Sequence, residues 1–552
     1  MSHQIPPTDR RSDLDALRAG AMLLGIVLHA SLSFFPSFWM VADRRQEPAF
    51  GILFAAIHGF RMPLFFVMSG FFSAMLLQRR GRLELVKHRY RRVFLPLLLG
   101  MVTIIPLTNA ISGLAMSSAP SDDRGVATPG GGASTLWGAA RAGDLDAIER
   151  HLAAGESVNA ADPEHGGTAL QWAAAAGRAE AIERLIERGA DVNATGRDGG
   201  TALHASAFLG HERAVEALIR GGADVNAVNG SGATPLSVAS LDEGTTRYFA
   251  SLLRLELDED GLGRRKAAIA EVLRARGATA GAQPGLAAFL TQMPVFGHLW
   301  FLWFLWWLVL GYAAVSALAA RLPTARPPGW LVLSPARYLW LVPLTMVPQA
   351  FMGGGDSPGF GPDTSTSLLP IPQVLAYYAI FFGFGALYFG FDDREGRVGG
   401  RWWAPLAIGL LVVLPLGLAL AAGWDGPPGV ALGPQARRGL AIFLQAAYPW
   451  LLTFGLMGLF RRACPAESPG MRYLSDSAYW LYLAHLPLVV ALQYLVRDWP
   501  IPAVLKFAIV VAATTGLLLW SYRALVRYTW LGRFLNGPRV RPEPAATPAV
   551  VA

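Results

Sequence analysis

The sequence predicts an all-α protein: a polytopic membrane bundle of about ten transmembrane helices, interrupted by an inserted α-helical repeat array. Three observations predict it. The 552 residues are 53% hydrophobic and only 16% charged, with 17 Trp and 29 Phe, and apolar stretches of spanning length recur along most of the chain. The loops between those stretches are short, and many are basic. Between residues 117 and 297 the pattern changes, because Thr135, Thr168, Thr201 and Thr234 recur every 33 residues, a period typical of stacked helical units. One cysteine, Cys464, excludes an intramolecular disulfide framework or a multi-cysteine metal site, and no metal is expected. The net charge of +8 does not call for nucleic acid, because Arg and Lys of a membrane protein gather in its cytoplasmic loops.

The elements follow in order. The polar N-terminus runs into a full-length span with no small-residue cleavage site, so no cleavable signal peptide is expected. Spans are expected at about 16–35, 51–77, 93–117, 297–319, 331–352, 373–391, 403–423, 439–460, 478–496 and 503–524. The segment 78–92 is densely basic and is therefore expected on the cytoplasmic side. Loops with Arg321, Arg326 and Arg337, then Arg394, Arg397 and Arg401, then Arg461, Arg462 and Arg472 fall on that side, as does the tail from Arg523 to Arg541. The opposite loop 353–372 has no Lys or Arg, and Arg437 and Arg438 are the main exception. Both termini are therefore expected in the cytoplasm of a cell with this protein in its inner, or plasma, membrane. The expected parts are a membrane domain of 1–117 and 297–526, a repeat domain of 134–278, and a cytoplasmic tail of 527–552.

Each repeat unit opens on one of the four threonines, as in Thr168-Ala169-Leu170 and Thr201-Ala202-Leu203-His204. Two close on Gly-Ala-Asp-Val-Asn-Ala, at 189–194 and 222–227, and Gly155-Glu156-Ser157-Val158-Asn159-Ala160 is a weaker copy. This resembles the ankyrin repeat in period and signature, which implies a turn and two antiparallel helices per unit, stacked on the next. An insertion near Arg247 to Arg264 precedes the last closing segment, and glycine- and serine-rich joints at 117–134 and 279–286 flank the array. Its position between spans three and four puts it on the extracytoplasmic side. Docking of a protein partner or of an acceptor glycan on its extended surface is the expected role.

Arg18 and His29 lie in the first span. Charged and imidazole side chains within a membrane helix are costly and usually face a protein interior or substrate path. Eleven residues separate them by roughly 16 Å, about half of a hydrocarbon core of roughly 30 Å. Arg89 and Arg92, three apart, follow in the basic segment. The order of Leu14-Asp15-Ala16-Leu17-Arg18 with His29, the segment 60–71 (Phe-Arg-Met-Pro-Leu-Phe-Phe-Val-Met-Ser-Gly-Phe), Arg89-Tyr90-Arg91-Arg92, His298-Leu299-Trp300 and Tyr479 to Pro487 resembles the acyltransferase 3 family of integral membrane O-acyltransferases. It is most similar to the glucan biosynthesis protein C branch, through residues 30–36 and 58–63. The ankyrin insertion departs from that pattern.

The resemblance implies transfer of an acyl group, acetyl or succinyl, from cytoplasmic acyl-coenzyme A to a hydroxyl of an extracytoplasmic glycan. Such a transfer needs a base for the hydroxyl proton, and imidazole titrates near working pH, which makes His29 the candidate catalytic residue. Arginine offers a permanent, planar fork for phosphate, which makes Arg18, Arg89 and Arg92 candidates for donor binding. His58, Arg61, His298 and His485 are weaker candidates for substrate contact. Each has a plainer reading: Arg18, Arg89 and Arg92 as topology charges, His29 and His485 as hydrogen-bonded packing residues, His58 and His298 as interfacial histidines. Trp300, Trp303, Trp306 and Trp307 read as a packing seam or aromatic belt, and Ser69-Gly70 as close helix packing rather than a nucleophile. Expected partners are membrane lipid, the carbohydrate acceptor and a protein on the repeats. Two other classes remain open: a glycan or lipid transporter or flippase, and an inactive membrane scaffold.

Overall fold

The computed structural model describes residues 11–35, 39–117, 135–162, 166–196, 198–230, 232–252, 257–258, 260–281, 290, 295–322, 326–353, 359–424, 426–427, 432–466 and 468–537. The expected glycine-rich joints, the glycine runs at 130–132 and 353–355, part of the 247–264 insertion and the tail beyond 537 lie wholly or partly outside them. The regular structure of the described residues is helical, with one isolated β-bridge between Ala161 and Thr168. The chain divides into two compact units, one of residues 1–35, 47–111 and 294–552, the other of 36–46 and 112–293.

In the first unit, Asp13 and Asp15 in the opening turn of the Ser12–Ser31 helix complement the positive helix N-terminus. Pro48 starts the next helix, Pro48–Arg89, where its missing N–H costs nothing. Gly81, with φ 79° and ψ 174°, breaks that helix inside the basic segment, a backbone only glycine adopts cheaply. A π-turn at Tyr90–Phe94 follows, then the Leu95–Ser117 helix. The most extensive helix pairing is that of Pro48–Arg89 with Pro372–Phe389. It is built on two glycines. A side chain at Gly70 would strike the Phe382 carbonyl, and one at Gly385 the Val67 carbonyl, so the two backbones touch as small-residue crossings allow. The Ser69-Gly70 packing reading thus holds for Gly70.

Eight helical stretches among the described residues are long and apolar enough to cross a membrane. One of them, Pro48–Ala115, holds two of the ten expected spans. The segment 331–352 is not among these stretches, so the exact count of about ten is not confirmed. Ser334 is extended (φ −99°, ψ 171°) before Pro335, so the chain forms the short Gly329–Leu333 helix, a 3₁₀ turn at Pro335–Arg337 and a 12-residue helix, Tyr338–Gln349. Twelve residues rise about 18 Å at about 1.5 Å each, well below a hydrocarbon core of about 30 Å. Arg337, read from sequence as a loop charge, is buried. It donates to the Val398 carbonyl at 2.7 Å and lies 4.4 Å from the Phe454 ring centre. Arg461 donates to the Asp393 carbonyl at 3.0 Å, and Arg82 to the Ser316 carbonyl at 3.1 Å, so several of the basic segments are tied to neighbouring helix ends.

The tryptophans of the Trp300–Ala319 helix form a packing seam. Trp300 is buried against Phe304 and Tyr378, Trp303 stacks on Phe296, and only Trp307 is well exposed.

The second unit contains the repeat array, and the array's signature residues have visible work. Thr135, Thr168 and Thr234 cap the first helices of their units by accepting from the backbone three residues on, while Thr201 shares a capping box with His204. The asparagines of the closing signature join neighbours. Asn159 accepts from Asp191 N–H, Asn193 from Asp224 N–H and Asn226 from Thr279 N–H, each at 2.8 Å. The 33-residue period is therefore a hydrogen-bond ladder as well as an apolar one. Alanine, leucine and isoleucine from successive units fill one continuous core.

Candidate active site

Helical spacing builds the site. Arg18, Met22, Gly25 and His29 are four, three and four residues apart in the first helix, so they form one stripe. Ser475, Tyr479, Tyr482 and His485 make a matching stripe on the Pro469–Val496 helix. Arg61, Phe65, Ser69 and Phe72 make a third on Pro48–Arg89. These stripes line two adjoining cavities. The larger, of about 370 Å³, holds Arg18, Arg89 and Arg92 together with Asp476 and Asn536. The smaller, of about 40 Å³, holds His29, Arg61, His298, Tyr482 and His485. Met22, Phe65 and Phe301 border both.

The three arginines of the larger cavity differ. Arg18 donates from Nη2 to Ser475 Oγ at 2.8 Å and pairs with Asp15 at 3.2 Å. Arg89 donates to Ser73 Oγ at 3.1 Å, while its buried Nε meets no partner among the described residues. Arg92 donates from Nη1 to the carbonyls of Arg533 and Phe534, each at 2.7 Å. It thereby holds the Trp530–Asn536 helix, whose Leu535 and Asn536 line the cavity. This segment, expected as part of a tail, packs on the membrane unit.

In the smaller cavity His485 Nε2 lies 2.9 Å from His29 Nδ1, and the rings are 4.9 Å apart. His29 Nδ1 also faces the Gly25 carbonyl at 2.9 Å. His298 donates from Nε2 to the Leu483 carbonyl at 3.2 Å, and its buried Nδ1 has no partner among the described residues. Tyr482 fixes the same turn by donating to the His298 carbonyl at 2.8 Å. The Arg61 guanidinium lies against Gly25, where a Cβ would collide with Nη1. Among the described residues its side chain makes a long approach of 3.7 Å to Met62 Sδ. No carboxylate pairs with it among the described residues, and none lines this cavity. His58 stands apart. It donates to the Pro362 carbonyl at 3.1 Å and stacks on Phe54, pinning a loop rather than joining the other histidines. No group of three His, Cys, Asp or Glu among the described residues is arranged to hold a metal ion.

Sequence reasoning missed Ser475, Asp476, Tyr479, Tyr482 and Asn536. Ser475, Tyr479 and Tyr482 were available as the helical continuation of the His485 stripe; Asp476 and Asn536 carried no signal.

A family model described as an acyltransferase domain matches residues 11–137 and 268–523, which brackets the repeat array and covers most of both cavities. The chain belongs to the acyltransferase 3 family. A model for ankyrin repeats in three copies matches residues 136–229 and 180–256. Among curated proteins, the chain is similar to the glucans biosynthesis protein C of Escherichia coli strains SMS-3-5, K12 and O9:H4 HS. Each is 41% identical over 101 residues, 18% of this chain and 25% of the relative. The chain thus aligns with about a quarter of the length of these curated relatives. The family assignment agrees with the resemblance read from Arg18, His29 and the later membrane signatures, and its two matched blocks make the ankyrin array an insertion.

Proposed function

We propose that the protein is a membrane O-acyltransferase that moves an acyl group, acetyl or succinyl, from cytoplasmic acyl-coenzyme A to a hydroxyl of an extracytoplasmic glycan. The observation that carries this reading is the pair of adjoining cavities. One is lined by three arginines and the other by His29, and Met22, Phe65 and Phe301 form their common wall. Arg18, Arg89 and Arg92 hold the donor's phosphates, for which guanidinium forks are suited. The apolar common wall guides the thioester arm toward His29. A 40 Å³ pocket has room for the reacting atoms and little more.

In the transfer, His29 takes the acceptor's hydroxyl proton as that oxygen attacks the thioester carbon. The new C–O bond forms, the C–S bond breaks, and the proton passes to the departing sulfur as free coenzyme A. Arg61, with no carboxylate to neutralise it, supplies positive charge for the carbonyl oxygen as it becomes an oxyanion. This reading sets both termini in the cytoplasm and the ankyrin array outside, in the compartment of the acceptor.

Membrane vesicles loaded with glycan and given radiolabelled acyl-coenzyme A test it. Label on the glycan is the expected result. Glycan crossing the membrane without label would replace the enzyme with a transporter, and neither event would leave a scaffold.

A further inference from the structure

We propose that His485 is a positioning residue: it holds His29 in the tautomer with its proton on Nδ1, so that Nε2 is the basic nitrogen. The proposal rests on the reading of His29 as general base. It follows from counting donors and acceptors along one chain of contacts.

His485 Nδ1 faces two backbone carbonyls, Tyr482 at 2.8 Å and Leu481 at 3.1 Å. Carbonyls only accept, so Nδ1 of His485 carries a proton. In a neutral ring its Nε2 then has the lone pair. That nitrogen lies 2.9 Å from His29 Nδ1, which must therefore be the donor. The same His29 nitrogen faces the Gly25 carbonyl at 2.9 Å, again an acceptor, so both neighbours demand a proton there. The Nδ1–H of His29 is shared between them, and its Nε2 carries the lone pair.

Two other arrangements fail. If His485 donated from Nε2 while neutral, its own Nδ1 lone pair would face two carbonyls and the His29 Nδ1 lone pair a third. If His485 were an imidazolium, the His29 lone pair would still oppose Gly25. A second cation would also be buried beside Arg61 in a cavity with no acidic side chain, and unpaired buried charge is costly.

The choice of an imidazole in place of a carboxylate has a reason in the same pocket. A carboxylate behind His29 would also draw the Arg61 guanidinium, which lies against Gly25. A neutral acceptor fixes the tautomer and leaves the Arg61 charge for the carbonyl oxygen. His485 is 3% exposed and both its ring nitrogens are engaged, so its orientation is held by the helix that carries it.

The test uses the full-length protein in lipid nanodiscs with ring-¹⁵N histidine, the His29 signals being assigned by their loss in His29→Gln. The expected spectrum has His29 protonated at Nδ1 and bare at Nε2; the reverse would overturn the proposal whatever the variants do. His485→Gln places a carbonyl oxygen where Nε2 stood and should keep kcat within about tenfold. His485→Ala should lower kcat by about 100- to 10,000-fold, the scale of losing a histidine's orienting partner, with the donor KM unchanged and mixed His29 tautomers. Full activity in His485→Ala, or equal losses in Ala and Gln, would also overturn it. His29→Ala separates the two readings. If that variant stays active the general base is elsewhere; if it is dead while His485→Ala is active, only the positioning role falls.

Discussion

Arg89 and Arg92 are three residues apart in sequence, yet the structure gives them different duties, and substitution should separate them. Arg89 makes one hydrogen bond, to Ser73 Oγ, and leaves its Nε without a partner among the described residues. Arg92 already spends Nη1 on two carbonyls of the Trp530–Asn536 helix. A charge-assisted hydrogen bond contributes about 1.5–3 kcal/mol net. At about 1.4 kcal/mol per decade, Arg89→Ala should weaken acyl-coenzyme A binding by about 10- to 100-fold. Arg89→Lys keeps the charge and loses the fork, so it should recover only part of that loss. Arg92→Ala should weaken binding too, and should in addition free the Trp530–Asn536 helix, visible as faster hydrogen exchange there. Arg80, in the exposed basic run, should change binding by less than about threefold, because such charges are screened at physiological salt. Scintillation proximity with tritiated coenzyme A on purified protein in nanodiscs measures all four. Equal losses at Arg80, Arg89 and Arg92, all abolished by high salt, would refute the reasoning and reduce the run to a surface electrostatic anchor.

Five further outcomes are expected. His29→Ala should abolish transfer, measured by label on glycan, while coenzyme A binding stays intact; near-normal turnover would move the base to His298. Gly70→Leu should prevent stable folding, read as loss of the monodisperse peak in detergent chromatography, because its side chain meets the Phe382 carbonyl in a crossing that cannot open cheaply. In the ankyrin array, burial pulls the ammonium of Lys266 down to about 8, below its unfolded value of about 10.4. The unfolded chain therefore holds the proton more tightly, and array stability should rise between about pH 8 and 10.5 by up to about 3 kcal/mol; Lys266→Met should flatten that dependence in thermal unfolding, and an unchanged slope would assign it elsewhere. Replacing 134–278 by a Gly/Ser linker should leave coenzyme A affinity unchanged, and Ser157→Cys in a Cys464→Ser background should react with an impermeant thiol reagent from outside; labelling only after the membrane is breached would invert the proposed topology.

The parts of this protein that were legible in sequence are those written in local periods. The Arg18–His29 stripe follows from eleven residues at about 100° each, which return to within about 20° of the same face. The ankyrin units follow from threonine caps spaced by 33 residues and an Asn ladder spaced by 34 and 33. What the sequence left open is non-local or conformational. Segment 331–352 has the hydropathy of a span, but Ser334-Pro335 breaks it, and Arg337 turns inward to Val398 and Phe454. His58 and Arg61 share a face by spacing, yet His58 is taken by Pro362, some 300 residues away. The His29–His485 contact joins residues 456 positions apart, and no single-sequence pattern encodes which nitrogen faces which.

The division into two cavities also fixes how defects should sort kinetically. On the proposed reading, groups that line only the arginine cavity touch the part of the donor that does not react, so their loss should raise KM and leave kcat. Groups that line only the histidine cavity act as charge develops, so their loss should lower kcat and leave donor affinity. Met22, Phe65 and Phe301 border both, and an alanine there should spoil both constants at once by letting the thioester arm wander. Phe65 is the sharpest case, because it lies one helical turn from Arg61 on one side and from Ser69 on the other. A Phe65→Ala variant that moved only one constant would mean that the cavities serve separate ligands, and the shared-path argument for acyl transfer would fail with it.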